Sequence, residues 1–443
     1  MDVAAIDPVR LVPVAFGTAI VIGTALLSLP VATAQGARPR LIDALFTATS
    51  AVCVTGLATV DTGTYWSTFG QLVILILIQL GGLGVMVWAA ALTLALTRRL
   101  GYRTRLAVHT ETKSRPGRDL RRLVRGVIAL SLTVELLLAT VLALRFFTTY
   151  DMAATSSAYS GFFHAVSAFN NAGFSLYSDS LMGFADDPVV LLPIAAAVIV
   201  GGLGFFVVLE LKDSWRRPRR WSIVTRVTVT MTLGLLALGA LLIGLSEMGN
   251  PATLGPLSPA ERVLSSFFAS VMPRTAGFNA IDVAAMRPES LFITELLMFI
   301  GGGSGGTAGG VKVTTVGLLL AVVWSEVTGR RDVEVGHRRI PVAQQRQALA
   351  VATLSAVFVV LAIFAVMTVT DAALGAVVFE VVSAFGTVGL STGITASLPT
   401  AALAALIVLM FVGRLGPLAF ATALARRDRD SKRQLPEEGM TIG

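Results

Sequence analysis

Eight stretches of this chain are long and apolar enough to cross a lipid bilayer, and this constrains the fold more than any other feature. Six of them, residues 11–34, 69–97, 188–209, 227–246, 348–370 and 397–425, run about 20 residues or more with no charge except Arg414 in the last. Two more, 123–144 and 291–323, qualify once Arg125, Glu135, Glu295 and Lys312 are admitted. Hydrophobic residues make up 54% of the chain, charged residues only 14%, and mean hydropathy is +0.77. A soluble domain of this size needs far more charge to cover its surface. The first stretch has a single base before it, Arg10, and is too long for the apolar core of a secretory leader, so it reads as a retained span. No lipidation signal stands out. The single Cys53 excludes an intrachain disulfide and leaves too few thiols for a structural zinc site.

Basic residues set the expected orientation. Ten of the 35 Lys and Arg fall in 98–126, six in 212–226, five in 328–346 and five in 426–433, and Arg10 joins them on one side of an eight-span arrangement. The positive-inside rule then puts both termini in the cytoplasm. The formal charge of +8 is confined to short connections between spans, which points to membrane topology and not to nucleic acid.

Between the spans lie four short apolar segments, 41–52, 159–169, 261–273 and 376–385, each too short to cross and of a length suited to a re-entrant helix. Each ends in a related tail: Cys53-Val54-Thr55-Gly56, Asn170-Asn171-Ala172-Gly173, Arg274-Thr275-Ala276-Gly277 and Gly386-Thr387-Val388-Gly389, followed in every case by Leu or Phe. The next span of each unit carries a Gly-rich turn beginning at Gly81, Gly201, Gly301 or Gly413. From tail glycine to turn the steps are 25, 28, 24 and 24 residues. Two patterns in the same phase through four units define an internal repeat. The expected units are residues 1–105, 106–215, 216–335 and 336–426, with a cytoplasmic tail at 427–443. Each unit holds two spans, so all four share one orientation. The expected fold is therefore all-α and integral to the membrane: four parallel units of helix, re-entrant loop and helix around a central pore, with pseudo-fourfold symmetry.

Non-helical backbone at membrane depth is tolerated only where it is buried in protein or lines a water-filled cavity. Four such segments around one axis can present carbonyl oxygens that replace the hydration shell of a monovalent cation. Glycine reaches positive φ cheaply, which lets successive carbonyls turn inward. A short helix aimed at the axis by its carboxyl end adds a favourable dipole. No ring of Asp or Glu accompanies the tails, which argues against a divalent pathway.

These tails resemble the filters of the Trk/Ktr/HKT superfamily of potassium transporters, in its KtrB/TrkH-like ion-conducting subunits. The resemblance runs from residue 11 to about 425, and the eight-span length looks more like KtrB than TrkH. It implies that Gly56, Gly173, Gly277 and Gly389 each mark one strand of a potassium filter. Plant relatives that select sodium replace the first glycine with Ser; this chain keeps Gly56, so potassium is the expected substrate, and a sodium-permeable or sodium-coupled transporter of the same fold is the alternative. It implies a gating loop at 301–312, formed by Gly301, Gly302, Gly303, Ser304, Gly305, Gly306, Thr307, Ala308, Gly309 and Gly310, with Lys312 at its end. So many glycines would weaken a helix, by roughly 1 kcal/mol each relative to Ala. It places Arg414 near the cavity beneath the filter and Arg274 behind its strand. It further implies a bacterial plasma-membrane location, a homodimer, and a peripheral KtrA/TrkA-like nucleotide-binding subunit docked on the basic loops, with no cofactor on this chain.

Other polar residues have structural readings. Asp43, His164, Glu261 and Glu380 lie on or beside the short helices and are expected to anchor them; Glu135 and Glu295 are expected to pair or to face neighbouring units. A dinucleotide fingerprint at Gly301, Gly303 and Gly306 lacks the preceding strand it needs. No His, Cys or carboxylate cluster with ligand spacing and no nucleophile motif suggests an enzyme. A secondary transporter of a small organic solute remains the competing class, although such folds commonly use inverted repeats.

Overall fold

The computed structural model describes residues 8–99, 116–336 and 338–416. Much of the basic segment 98–126 and the whole tail 427–443 lie outside the described residues.

The chain folds as a succession of helices. In order they are α1 (Pro8–Leu27), α2 (Leu41–Cys53), α3 (Thr62–Tyr65), α4 (Thr68–Arg99), α5 (Pro116–Thr149), α6 (Ala154–Phe169), α7 (Pro188–Leu203) and α8 (Phe205–Ser214). There follow α9 (Ile223–Glu247), α10 (Pro259–Val271), α11 (Pro288–Phe299), α12 (Val313–Val327), α13 (Val342–Met367), α14 (Leu374–Gly386) and α15 (Thr400–Leu415). One two-residue hairpin pairs Glu334–Val335 with Arg338–Arg339.

Three of the expected spans are single helices long and apolar enough to cross a membrane: Val124–Thr149, Ile223–Glu247 and Val342–Met367. Their outward faces carry exposed Leu132, Leu136, Leu137, Leu233, Leu241, Val360, Leu361 and Phe364, the surface a lipid-facing helix needs. Two other expected spans are not continuous. Residues 188–209 bend by 104° between α7 and α8, at Gly204 with φ +95°. Residues 291–323 are broken between α11 and α12 by the glycine-rich stretch. The remaining three, in α1, α4 and α15, run up to residues outside the described set.

Two of the short helices begin where the sequence supplies a start. α10 is capped by a Ser258–Glu261 box with Pro259 in its first turn. α2 is opened by Arg40, whose guanidinium pairs with Asp43 at 2.7 Å. The helices then associate in a regular order: α4 packs on α6, α7 on α10, α11 on α14, and α15 returns to α2. The second helix of each unit thus touches the short helix of the next, and the last closes on the first.

The Gly-rich runs in the second spans serve close packing, and in the second and third units they also break the helix. α4 passes through Gly81–Gly84 without a break, contrary to the turn expected there. A Cβ at Gly81 would strike the carbonyl oxygen of Val52, one at Gly201 that of Phe169, and one at Gly413 that of Phe385. Each of those carbonyls lies four residues before its unit's tail glycine, so the second span lies directly on the carboxyl end of its own short helix. In the third unit, the loop after α11 takes the place of this contact.

Candidate functional site

The four tails share one backbone course. Val54, Asn171, Thr275 and Thr387, each two residues before the tail glycine, have φ of +57°, +59°, +73° and +50°. The glycines themselves follow at +93°, +68°, +73° and +97°, with one residue of negative φ between. Alternation of hand swings successive peptide planes so that neighbouring carbonyls can face the same way. For Val54, Thr275 and Thr387, β-branched residues at positive φ, this is a strained conformation that the surroundings must hold.

What holds it is a repeated tie to the short helix. Thr55 N–H donates to the Ser50 carbonyl at 2.7 Å and Gly56 N–H to the Ser50 hydroxyl at 3.0 Å. Val388 and Gly389 make the same two bonds to Ser383, at 2.9 and 3.1 Å. In the second tail Ala172 N–H reaches the Ser167 carbonyl at 2.7 Å, while the Ser167 hydroxyl donates to Phe174 O at 2.8 Å. The third tail has Val271 at that position and folds back on the Met272 carbonyl instead.

The glycines meet in a ring. A Cβ on Gly56 would lie 3.1 Å from Gly173 Cα, one on Gly173 3.0 Å from Gly277 Cα, one on Gly277 3.1 Å from Gly389 Cα, and one on Gly389 3.0 Å from Gly56 Cα. Each such Cβ would also press on a neighbour's carbonyl oxygen, of Ala172, Ala276, Val388 and Thr55 in turn. Every strand therefore touches the next, and the circuit returns to its start. The ring-forming portion is three residues per tail. Cys53 and Gly386 are the last residues of their helices and Asn170 is a helix cap. The side chains of Asn170 and Arg274 turn to other elements: Asn170 donates to Gln79 at 2.8 Å, and Arg274 to Thr232 O at 3.2 Å and Gly301 O at 3.3 Å. The hydroxyls of Thr55 and Thr387 are buried and have no protein partner among the described residues, which leaves them available as oxygen donors.

Loops after the glycines are pinned to the same short helices. His164 and Glu380 each precede their glycine by nine residues, and both reach the serine two residues after it. His164 Nε2 lies 3.0 Å from Ser175 Oγ; Glu380 accepts from the Ser391 hydroxyl, from Thr392 N–H at 3.0 Å and from Thr395 at 2.8 Å. Asp43 accepts from Thr59 at 2.9 Å, and Glu261 closes its capping box. These four residues anchor helices, as expected. Glu135 faces the neighbouring unit, with its carboxylate 3.0 Å from Gln79 Nε2.

Packed against the second and fourth tails, the stretch from Gly301 to Lys312 is a compact loop. Ile300 and Val311 form a parallel bridge, Gly301 N–H donates to Val311 O at 2.9 Å, and Val313 N–H to Gly302 O at 3.0 Å. The loop docks on the bend of the second unit: Gly303 N–H reaches Gly202 O at 2.8 Å and Thr307 N–H reaches Gly201 O at 3.1 Å. A Cβ on Gly306 would sit 2.8 Å from Gly201 O, and one on Gly302 2.6 Å from Gly202 O, so this contact requires bare backbone. Thr307 also donates to Asn171 Oδ1 at 3.1 Å, and Gly309 lies against Thr387 and Gly386. Lys312 does not turn outward: its ammonium donates to the Ala308 carbonyl within the loop. Buried Arg414 clamps the assembly, donating to Thr307 O and, at 2.9 Å, to Gly81 O of the first unit. Ser304 contacts Thr314 at 2.9 Å, and Gly305 and Gly310 carry positive φ.

Sequence reasoning missed two things here. A phenylalanine stands ten residues before every ring glycine (Phe46, Phe163, Phe267, Phe379), a third in-phase signal available in the sequence. The contact network of Gln79, Ser131, Glu135 and Asn170 had no such signal, because it joins helices of two units.

A membrane-embedded helical protein whose re-entrant turns close a ring of backbone is built in the manner of ion-conducting subunits. The family model described as TrkH, cation transport protein, matches residues 7–433. The chain is 41% identical to the Ktr system potassium uptake protein B of Bacillus subtilis, over 96% of this chain and 95% of that one. It is 36% identical to the protein of the same name from Vibrio alginolyticus, over 94% and 91%, and 34% identical to the potassium/sodium uptake protein NtpJ of Enterococcus hirae, over 99% and 98%. The crystal structure of the potassium transporter TrkH from Vibrio parahaemolyticus superposes with a TM-score of 0.71 at 19% identity, covering 93% of this chain and 85% of that one. This chain belongs to the TrkH family of cation transport proteins.

Proposed function

We propose that this chain conducts potassium into the cell through the ring formed by Gly56, Gly173, Gly277 and Gly389, passively and down the electrochemical gradient. The observation that carries the reading is the closed circuit of four strands, each pressed against the next through a glycine. Backbone oxygens held at fixed spacing can substitute for the water around a monovalent ion. The strand residues, Val54-Thr55-Gly56, Asn171-Ala172-Gly173, Thr275-Ala276-Gly277 and Thr387-Val388-Gly389, are neutral, which suits a monovalent ion. The names of the relatives from Bacillus subtilis and Vibrio alginolyticus support potassium as the substrate. The potassium/sodium relative favours a second reading in which sodium also passes.

The loop from Gly301 to Gly310, with Lys312 and Arg414, serves in this reading as the gate. It is fastened to the second and fourth units by hydrogen bonds that a rearrangement would have to break, and Arg414 links it onward to the first. The four units, residues 1–105, 106–215, 216–335 and 336–426, work as one pore in the bacterial plasma membrane with both termini cytoplasmic. Two chains form a dimer, and a nucleotide-binding subunit of the KtrA/TrkA kind regulates them from the basic face. The words "Ktr system" in the relatives' names support such a partner. The test is flux into proteoliposomes holding the purified chain, with potassium, sodium and a panel of small organic solutes. Saturable potassium entry that sodium does not match supports the reading; transport of an organic solute with no cation flux overturns it.

A further inference from the structure

A buried carboxyl lies at the seam between the first two units. Glu135, in the middle of α5, is only 2% exposed. Its Oε1 accepts from the Ser131 hydroxyl at 2.5 Å, from Gln79 Nε2 at 3.0 Å and from Asn170 Nδ2 at 3.3 Å, and its Oε2 accepts from Gln79 at 3.3 Å. None of the ion pairs among the described residues involves it. A carboxyl at membrane depth with neutral donors as its partners is costly to keep, and such groups are retained where they serve function.

The partner that matters is Asn170. It caps α6 and immediately precedes Asn171, whose φ of +59° opens the second strand. Its amide is held from three directions: by Gln79 Oε1 at 2.8 Å, by Glu135, and by Val166 O at 2.9 Å. α4 approaches so closely that a Cβ on Gly82 would strike this amide. α4 belongs to the first unit and Asn170 to the second, so the network bridges the two units whose strands meet at Gly56 and Ala172. The other tails lack it: Cys53 and Gly386 offer no amide at this position, and Arg274 reaches instead to α9 and the loop.

We propose that Glu135 is a positioning residue for ion selectivity: with Gln79 and Asn170 it fixes the second strand against the first, and so sets potassium-over-sodium discrimination. The inference rests on the reading of the ring as a potassium filter. Discrimination between two alkali ions depends on small differences in where the coordinating oxygens stand and how freely they move. With Glu135 lost, the Asn170 amide keeps only Gln79 and Val166 as acceptors, and the start of the second strand is less firmly held.

The test uses the full chain in proteoliposomes and measures KM and maximal rate separately for potassium and sodium. Glu135→Gln keeps the shape and one oxygen for Ser131, Gln79 and Asn170, but removes the charge and sets an NH2 where Oε2 accepted from Gln79. Loss of a hydrogen bond to a charged group is worth roughly a tenfold change, and the ratio of potassium to sodium uptake efficiency should fall by about that factor, chiefly through a higher potassium KM. Glu135→Asp keeps the charge and should retain most of the ratio. If the Glu135 variants are not recovered as folded protein, Gln79→Met removes the brace from the α4 side and should produce the same shift. An unchanged ratio, with only protein yield or maximal rate reduced, overturns the proposal in favour of simple packing. A wild-type chain with no potassium preference refutes the filter reading itself, and this inference with it.

Discussion

Replacing Gly56 by Ser perturbs the ring where its first and second strands meet, and the structure allows the effect to be sized. Gly56 sits at φ +93°, where a residue bearing a Cβ is strained by about 1–3 kcal/mol. The added Cβ would also stand 3.1 Å from Gly173 Cα and closer still to the Ala172 oxygen, and forcing an atom into a filled site costs about 1–3 kcal/mol more. The clash falls when the second strand retreats and the φ strain when residue 56 itself shifts, so the strain is released as movement of the carbonyls on both strands. If about half of it appears as lost discrimination, potassium preference over sodium drops roughly 10- to 100-fold, since 1.4 kcal/mol is a factor of ten. The assay is uptake of each ion by a bacterium deprived of its own potassium uptake, with the amount of chain in the membrane measured in parallel. Gly56→Ala is the matched control: it adds the Cβ without a hydroxyl and should lose preference to a similar degree. A preference within twofold of wild type in both variants, at equal expression, would refute the reasoning.

Other predictions concern the clamp and the outer surface. Arg414→Met leaves the carbonyls of Thr307 and Gly81 without their donor, so the loop should loosen and potassium flux without any regulatory partner should rise several-fold, each lost charged bond being worth about 1.5–3 kcal/mol; a flux equal to or below wild type contradicts the gate assignment. Asp187 caps α7, accepting from Arg145 at 2.7 Å, Val189 N–H at 2.9 Å and Tyr150 at 3.1 Å. Burial pushes its carboxyl up, but those donors outweigh burial and hold it below the usual carboxylate range. The stability it adds is therefore present above the unfolded value near 3.9 and lost as pH falls further, through the depressed folded value. Melting of the detergent-solubilised chain should accordingly be flat from pH 8 to about 5 with respect to this group and fall below about pH 4. Asp187→Asn should melt lower at pH 7 and lose that part of the acid dependence; identical melting curves for the two proteins would show that the cap contributes nothing.

Much of the architecture was legible in the sequence because it depends on local signals. Apolar length announces a span, and a dozen apolar residues ending in glycine announce a re-entrant helix, so α2, α6, α10 and α14 could be read directly. The ring glycines were legible because repetition fixed their phase. The Gly81 run was harder: glycine marks both a turn and a close contact, and only the position of Val52 against α4 shows that α4 continues through it. The turn read at Gly201 does occur, as the 104° bend at Gly204, but the loop that docks on it lies a hundred residues further along the chain and could not be foreseen. Lys312 and Arg414 were recognised as costly charges in apolar surroundings, but their acceptors, Ala308, Thr307 and Gly81, are backbone carbonyls that have no signature in sequence. The Gln79–Glu135–Asn170 brace was illegible because it depends on the register between two units, which no single unit records.

The central claim is that main-chain oxygens of four strands hold a dehydrated potassium ion at one place. The most direct measurement is a structure of the purified chain soaked in rubidium or thallous ion, read by anomalous scattering. The account predicts a peak on the ring axis, coordinated by carbonyls of the Thr55, Ala172, Ala276 and Val388 strands and displaced by excess potassium but not by equal sodium. Scattering found only elsewhere, or a ring centre that stays empty while the chain conducts, would contradict it.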